Sequence, residues 1–287
     1  MLGITRQGND MKVSICGCGW LGLPLAKYLV SQGFDVYGSK TNLEAAKQLE
    51  SVGIHGVELT IPLEQSHISS EMKAFFAAGV LVINVPPRRR AVQSHEYIAS
   101  VLSLSMAAKD NGCKRIIFIS TTSVYGSMQG EITESMQPNP DSESGITHYK
   151  LEQQLRDIWG DDLVVLRLSG LIGPNRHPAK FLSGRTGIKG GKSQVNLIHL
   201  DDCIQAITSI IVKSPDVKTL HLAAPFHPTR EAYYTASALK VGIDLPIFEE
   251  DLTPKGKVIN SERTIKVLGL SLKNPELAVS ALDIAKP

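Results

Sequence analysis

From Lys12 the chain reads Lys12-Val13-Ser14-Ile15-Cys16, with apolar Val13 and Ile15 spaced as in a short buried strand. Glycines follow, and the next apolar spacing predicts a helix over Leu23 to Gln32. Phe34 to Gly38 reads as a second strand, which completes a β-α-β unit. Helical spacing returns over Leu43 to Val52, and Gly56 to Thr60 reads as strand. Gly79 to Val85 is almost uniformly apolar, the pattern of a strand covered on both faces in a parallel sheet. It stops at Pro86-Pro87, which cannot continue a ladder. A crossover helix is predicted over Tyr97 to Lys109 and a buried strand over Arg115 to Ser120. Thr147 to Trp159 reads as a helix whose Leu151, Leu155, Ile158 and Trp159 share one face, and Leu163 to Leu168 and Thr219 to Leu222 read as strands. This alternation predicts an α/β fold, a doubly wound parallel sheet.

The glycines after the first strand give that sheet a candidate chemistry. Gly17, Gly19 and Gly22 fall on a Gly-x-Gly-x-x-Gly spacing between strand and helix. In that context the first glycine permits a tight turn and the second lets backbone approach a pyrophosphate. The third permits close packing of helix on strand. Backbone N–H groups at the helix start then face the anion, so Cys18, Trp20 and Leu21 join the candidate cofactor-binding residues. The plain alternative is an ordinary tight strand-to-helix turn. Where NAD-preferring folds carry a carboxylate at the end of the second strand, this chain has Ser39-Lys40-Thr41. An acid there repels a 2′-phosphate, whereas a lysine with two hydroxyls holds one. NADP is therefore expected, with NAD the alternative and a solvated lysine the plain reading. Val85, Pro86 and Pro87 end the fourth strand beside the expected dinucleotide, followed by Arg88, a candidate phosphate contact, and by Arg89 and Arg90, read as a solvated turn.

The chain has 287 residues and a formal net charge of +2. That charge offers no case for nucleic acid or an anionic membrane as partner. No apolar run reaches the length of a membrane span. Residues 1–10 lack the apolar centre of a secretory signal and are expected to be an N-terminal extension. The four cysteines, Cys16, Cys18, Cys113 and Cys203, are too few and scattered for a disulfide framework, and no zinc spacing occurs. They are expected to be reduced, in a cytoplasmic protein without a bound metal. The expected organisation is a dinucleotide-binding domain over 11–169 and a smaller substrate-binding region over 170–287, with a later strand returning to the sheet.

Three further stretches carry a family resemblance. Phe118-Ile119-Ser120-Thr121-Thr122-Ser123-Val124-Tyr125-Gly126 resembles the hydroxyl-bearing strand end of extended short-chain dehydrogenases/reductases, the NAD-dependent epimerase/dehydratase group. Leu166 to Pro174 is similar to that group's strand and loop beside the nicotinamide, which implies a cofactor role for Ser169. Asn196 to Cys203 is similar to the segment that leads into a C-terminal helix, where His199 and Asp202 are expected to orient the loop. The resemblance spans residues 12 to about 245 and implies a Rossmann fold.

The family also carries a Tyr-x-x-x-Lys pair, because positions i and i+4 share a helix face and a lysine there depresses the tyrosine pKa. Here the pair is broken. Tyr149 is followed four residues later by Gln153, and setting Glu152 on the family's glutamate puts Ser144 and His148 at the two positions. The glycine loop is also one residue shorter than the family's usual pattern. Together these mark an atypical branch. Thr121 is implied as the hydroxyl that polarises a reacting oxygen, with capping of the strand end as its plain reading. His148 and Tyr149 are candidate proton donors, with a surface helix histidine and an amphipathic packing tyrosine as theirs. His177, Lys180 and Arg185 are expected to line the substrate side, amid a segment from Gly184 to Lys192 rich in glycine and base.

Two functions follow. One is an NADP(H)-dependent oxidoreductase or epimerase/dehydratase-like enzyme acting on a small anionic or sugar-like substrate. The other is a non-catalytic NADP(H)-binding redox sensor.

Overall fold

The computed structural model describes residues 11–63, 68–86, 94–250 and 256–277. In chain order the first elements are β1 (Lys12–Cys16), α1 (Gly22–Ser31), β2 (Asp35–Lys40), α2 (Leu43–Glu50), β3 (His55–Glu58), α3 (Ser70–Phe76) and β4 (Val80–Ile83). Next come α4 (Ser94–Asp110), β5 (Arg115–Thr121), β6 (Gly130–Ile132), α5 (Glu143–Trp159), β7 (Leu163–Leu168) and β8 (Gly170–Ile172). The chain then forms α6 (Ala179–Leu182), β9 (Leu197–His199), α7 (Leu200–Lys213), β10 (Thr219–Leu222), α8 (Arg230–Val241), β11 (Lys257–Ile259) and α9 (Glu262–Leu268).

Seven strands form one sheet in the order β10-β7-β5-β4-β1-β2-β3. The pairings of β1 with β2 and β4, of β2 with β3 and of β4 with β5 are parallel. This is the doubly wound arrangement expected from the sequence. Strand order reverses between β1 and β4, so the crevice beyond their carboxyl ends is where such sheets hold ligands. Central strands are mostly apolar because both faces are covered: all four residues of β4 and all six of β7, Arg167 among them, are buried.

The chain separates into two compact units. The first comprises Met1–Ser120, Ser142–Leu166 and Ile207–Leu220. Its core packs Tyr97, Val101, Leu104 and Ala108 of α4 and Leu151, Leu155 and Trp159 of α5 with Leu81, Ile116, Phe118 and Val165 of the sheet. Its helices start on local caps: Asn42 Oδ1 accepts the Ala45 amide, Ser69 Oγ that of Met72 and Ser142 Oγ that of Gly145. The Ser142 cap starts α5 at Glu143, one turn before the expected Thr147.

The second unit comprises Thr121–Asp141, Arg167–Ala206 and His221–Pro287. It contains two small parallel pairs, β8 with β9 and β6 with β11. At its centre a directed chain of hydrogen bonds is buried. Arg167 Nη1 donates to Tyr125 Oη at 2.9 Å, and Tyr125 Oη lies 3.0 Å from His221 Nδ1. The Asn260 carbonyl, 2.7 Å from His221 Nε2, can only accept, which assigns the imidazole proton to Nε2 and makes Nδ1 the acceptor from Tyr125. Thr264 Oγ1 donates to Glu134 Oε1 at 2.7 Å, and that oxygen lies 3.7 Å from His221 Nε2.

Candidate functional site

The first unit carries a cleft of about 830 Å³ at the carboxyl ends of its strands. Cys16 and Gly17 line it from the end of β1, Ser39, Lys40 and Thr41 from β2, Leu59 from beyond β3, and Val85 and Pro86 from beyond β4. Ile61, Pro62, Tyr97 and Ser100 complete much of the wall. Its volume lies within the range of small-molecule and cofactor pockets, roughly 300–1,000 Å³.

The glycine turn is held by contacts that dictate its residue types. Gly17 adopts φ +96°, and a Cβ there would lie 2.6 Å from the Asn84 carbonyl oxygen. Gly17 N donates to Ser39 Oγ at 2.9 Å and Cys18 N to the Ser39 carbonyl at 3.1 Å. Asn84 N donates to the Cys16 carbonyl at 3.0 Å, tying β4 to the same turn. A Cβ on Gly22 would meet the Gly17 carbonyl at 2.2 Å, so α1 sits directly on the turn. Gly19 differs: a Cβ there would have no atom within 4 Å. Steric packing within the protein thus explains Gly17 and Gly22 but not Gly19, which faces open space. That is the position where a dinucleotide needs backbone to approach its pyrophosphate.

Of the expected cofactor-binding residues, Gly17, Ser39, Lys40, Thr41, Val85 and Pro86 thus meet in one cleft. The side chains of Cys18 and Leu21 are buried and that of Trp20 is half-buried. Burial raises the Cys16 thiol to about 12 and the Cys18 thiol to about 11, so both are neutral fillers at pH 7. Pro87 and the three arginines after it lie outside the described residues. Sequence reading missed Asn84, Leu59, Ile61, Pro62, Tyr97 and Ser100. Tyr97 Oη donates to the Val85 carbonyl at 2.6 Å and so fixes the segment beyond β4. The signal for most of these was their place just past a strand's carboxyl end.

The candidates for chemistry divide between the units. In the first, His148 is only 8 % exposed, not a surface residue. It stacks on Phe118 at 6.1 Å, with Tyr97 at 6.3 Å, and aromatic cover from other elements is not visible in helix spacing. His148 Nδ1 lies 2.8 Å from the Ser144 carbonyl, which assigns a proton to Nδ1 and leaves Nε2 as the acceptor of the neutral ring. Burial lowers its pKa, against the pull of that carbonyl and of Glu152. Tyr149 is half-buried and Gln153 exposed on α5. One turn beyond His148, buried Glu152 accepts from Ser120 Oγ at 2.5 Å.

In the second unit, Thr121 Oγ1 accepts the Ser123 amide and donates to Ser123 Oγ, both at 3.1 Å. It caps the single turn over Thr122–Tyr125. Ser169 N donates to the Leu222 carbonyl at 3.0 Å, while its buried hydroxyl lacks a hydrogen-bond partner among the described residues. His177 is buried and its Nδ1 accepts the Ala179 amide, whereas Lys180 and Arg185 are exposed. His199 Nδ1 accepts the Asp201 amide at 3.2 Å. Asp202, fully buried, accepts the amides of Lys273 and Asn274. No cluster of potential metal ligands and no helix long and apolar enough to cross a membrane occurs among the described residues.

The family described as the NAD dependent epimerase/dehydratase family matches residues 14–222. Protein YeeZ of Escherichia coli (strain K12) is 37 % identical over 273 residues, covering 95 % of this chain and 99 % of YeeZ. Among solved structures, a functionally unknown conserved protein from Silicibacter pomeroyi DSS superposes with a TM-score of 0.75 at 23 % identity, covering 95 % of this chain and 98 % of that one. A UDP-glucose 4-epimerase with UDP-glucose from Thermotoga maritima also gives 0.75, at 18 % identity, over 95 % and 97 % of the two chains. With a doubly wound sheet, a glycine turn at its switch point and this match over most of its length, the chain belongs to the NAD dependent epimerase/dehydratase family.

Proposed function

We propose that the protein is an NADP(H)-dependent enzyme of this family, an oxidoreductase or epimerase/dehydratase-like catalyst for a small anionic or sugar-like substrate. The observation that carries the reading is Gly19, open to the solvent side of a turn whose other two glycines are explained by packing, with Lys40 and Thr41 lining the adjoining cleft. A lysine rather than an acid at the end of β2 favours a 2′-phosphate. When bound, a nicotinamide dinucleotide supplies reversible hydride transfer.

The chain's own residues would bind and orient that group and handle the proton. Gly17 would shape the turn, Gly19 and the amides at the start of α1 would hold the pyrophosphate, and Lys40 and Thr41 would hold the 2′-phosphate. Ser169 lies in the segment that the family places beside the nicotinamide, and its buried hydroxyl, without a partner among the described residues, would serve there. Thr121 polarises the reacting oxygen by turning its hydroxyl proton away from Ser123. His148, neutral with Nε2 as acceptor, or Tyr149 exchanges the proton. His177, Lys180 and Arg185 serve the substrate side.

Dissociation constants for NADPH and NADH on purified protein test the cofactor reading. NADPH is expected to bind at least tenfold more tightly, and equal or reversed affinities overturn the preference. Turnover of Thr121→Val on an identified substrate tests the chemistry, since an unchanged rate excludes the role given to Thr121.

One observation favours a second reading, a dinucleotide-binding protein without turnover: the family's Tyr–Lys pair is broken in either alignment, with Gln153 four residues after Tyr149 or with Ser144 and His148 at the two positions. That reading predicts no hydride exchange with any substrate. It also predicts a partner whose affinity differs between NADPH and NADP.

A further inference from the structure

Ser39 stands where dinucleotide folds commonly place the side chain that reads the adenosine ribose, yet it is only 3 % exposed. Its hydroxyl and its carbonyl both bond within the protein. The hydroxyl oxygen accepts the Gly17 amide at 2.9 Å. Held against the turn and almost wholly covered, the Ser39 hydroxyl presents little surface to a phosphate. Its carbonyl accepts the Cys18 amide at 3.1 Å, so this one residue holds two consecutive amides of the glycine turn. The neighbouring Gly38 completes the clasp: a Cβ there would lie 2.6 Å from Cys18 Sγ, so the thiol fills the space that the missing side chain leaves.

Lys40, the next residue, is half-buried and lines the cleft. Its backbone carbonyl accepts the Leu59 amide at 2.8 Å, which anchors the strand end at the cleft wall. Thr41, one residue further, is exposed and shares the same wall.

We propose that Ser39 is a positioning residue that locks the phosphate-binding turn, and that discrimination between a 2′-phosphate and a 2′-hydroxyl belongs to Lys40 with Thr41. The proposal refines the expectation that Ser39 itself touches the phosphate, and it rests on the reading of the cleft as a dinucleotide site. The two residues then have separable effects. Ser39 acts on every dinucleotide, because the pyrophosphate is common to all of them. Lys40 acts only on those that carry the extra phosphate.

The test is titration of the full chain with NADPH and NADH, for the wild type, Ser39→Ala, Ser39→Thr and Lys40→Ala. Ser39→Ala removes one acceptor from a partly buried amide and is expected to weaken both cofactors by the same factor, about tenfold, leaving their affinity ratio unchanged. Ser39→Thr keeps the hydroxyl and is expected to retain binding of both. Lys40→Ala is expected to weaken NADPH about tenfold or more and to leave NADH within about twofold. A Ser39→Ala protein that loses NADPH selectively overturns the proposal while leaving the dinucleotide reading intact. If Ser39→Ala does not fold, selective loss of NADPH by Ser39→Thr overturns it equally. A wild-type protein that binds neither cofactor overturns the dinucleotide reading, and the proposal with it.

Discussion

The α-carbon of Gly22 rests against the carbonyl of Gly17, so that a Cβ at Gly22 would lie 2.2 Å from that oxygen and 3.0 Å from its carbon. Both neighbours are backbone, so neither can swing aside. Gly22→Ala is expected to cost about 1–3 kcal/mol of stability, the usual penalty for overpacking. Gly19→Ala makes the opposite pair of predictions. Nothing stands within 4 Å of the added carbon, so stability should stay within about 0.5 kcal/mol of the wild type. NADPH affinity should fall at least tenfold, because the added carbon occupies the phosphate's approach. Denaturant melts and NADPH titrations of the two variants check both halves. A Gly19→Ala protein with unchanged NADPH affinity contradicts the role of the turn.

Three imidazoles make stability depend on pH. Burial lowers the pKa of His148, His221 and His227 below the ordinary 6.5. As pH falls through about 6.5 the unfolded chain takes up these protons before the folded one does. The stabilising contribution is therefore complete above pH 6.5 and lost progressively below it, down to the folded-state values. Urea midpoints should be level between pH 7 and 8 and decline from about pH 6.5 downward. For His221 the cause is also local. A second proton, on Nδ1, would face the Tyr125 hydroxyl that now donates to it, with Arg167 close by and Glu134 opposing. His221→Gln should flatten part of the decline; a slope identical to the wild type's contradicts this assignment.

Tyr125 Oη links Arg167 to His221 in the second unit. Tyr125→Phe removes the oxygen, keeps the ring and leaves both buried partners short of a bond. A loss of about 1–3 kcal/mol is expected in urea unfolding at pH 7.5. A change below about 0.5 kcal/mol would show that the linkage contributes little.

The cysteines should be slow to react. All four are buried, and the Cys16 and Cys18 thiols are pushed to about 12 and about 11, so almost no thiolate exists at neutral pH. Native protein should titrate with a disulfide reagent far more slowly than urea-unfolded protein. Rapid modification of Cys16 or Cys18 in native protein would show that the turn opens.

The sequence made the sheet legible where a strand's own residues carry the signal. Val80 to Ile83 is uninterruptedly apolar, Leu163 to Leu168 is apolar but for Arg167, and both are buried on both faces, which such a run between helices announces. The glycine turn was legible for the same reason, since its spacing is local. The helix Ser70–Phe76 was not, because its buried Phe75 and Phe76 are adjacent and too short a run to show a period; Ser69 as a cap was the available clue. The pairs Gly170–Ile172 with Leu197–His199 and Gly130–Ile132 with Lys257–Ile259 join three-residue segments far apart in the chain. Only tertiary contact makes them strands. The cleft shows the same division. Ser39, Lys40 and Thr41 follow from strand order, whereas Leu59, Pro62 and Ser100 reach the cleft from separate elements. His148 reads as a surface residue on its own helix because its cover, Phe118 and Tyr97, comes from elsewhere.

The most direct measurement is a crystal structure of the protein soaked with NADPH. The account predicts density with the pyrophosphate over Gly19 and the start of α1, and with the 2′-phosphate at Lys40 and Thr41. It also predicts Ser39 still bonded to the Gly17 amide and not to the ligand. Clear NADPH density elsewhere, or protein that remains folded and free of NADPH at saturating concentration, would contradict the central claim.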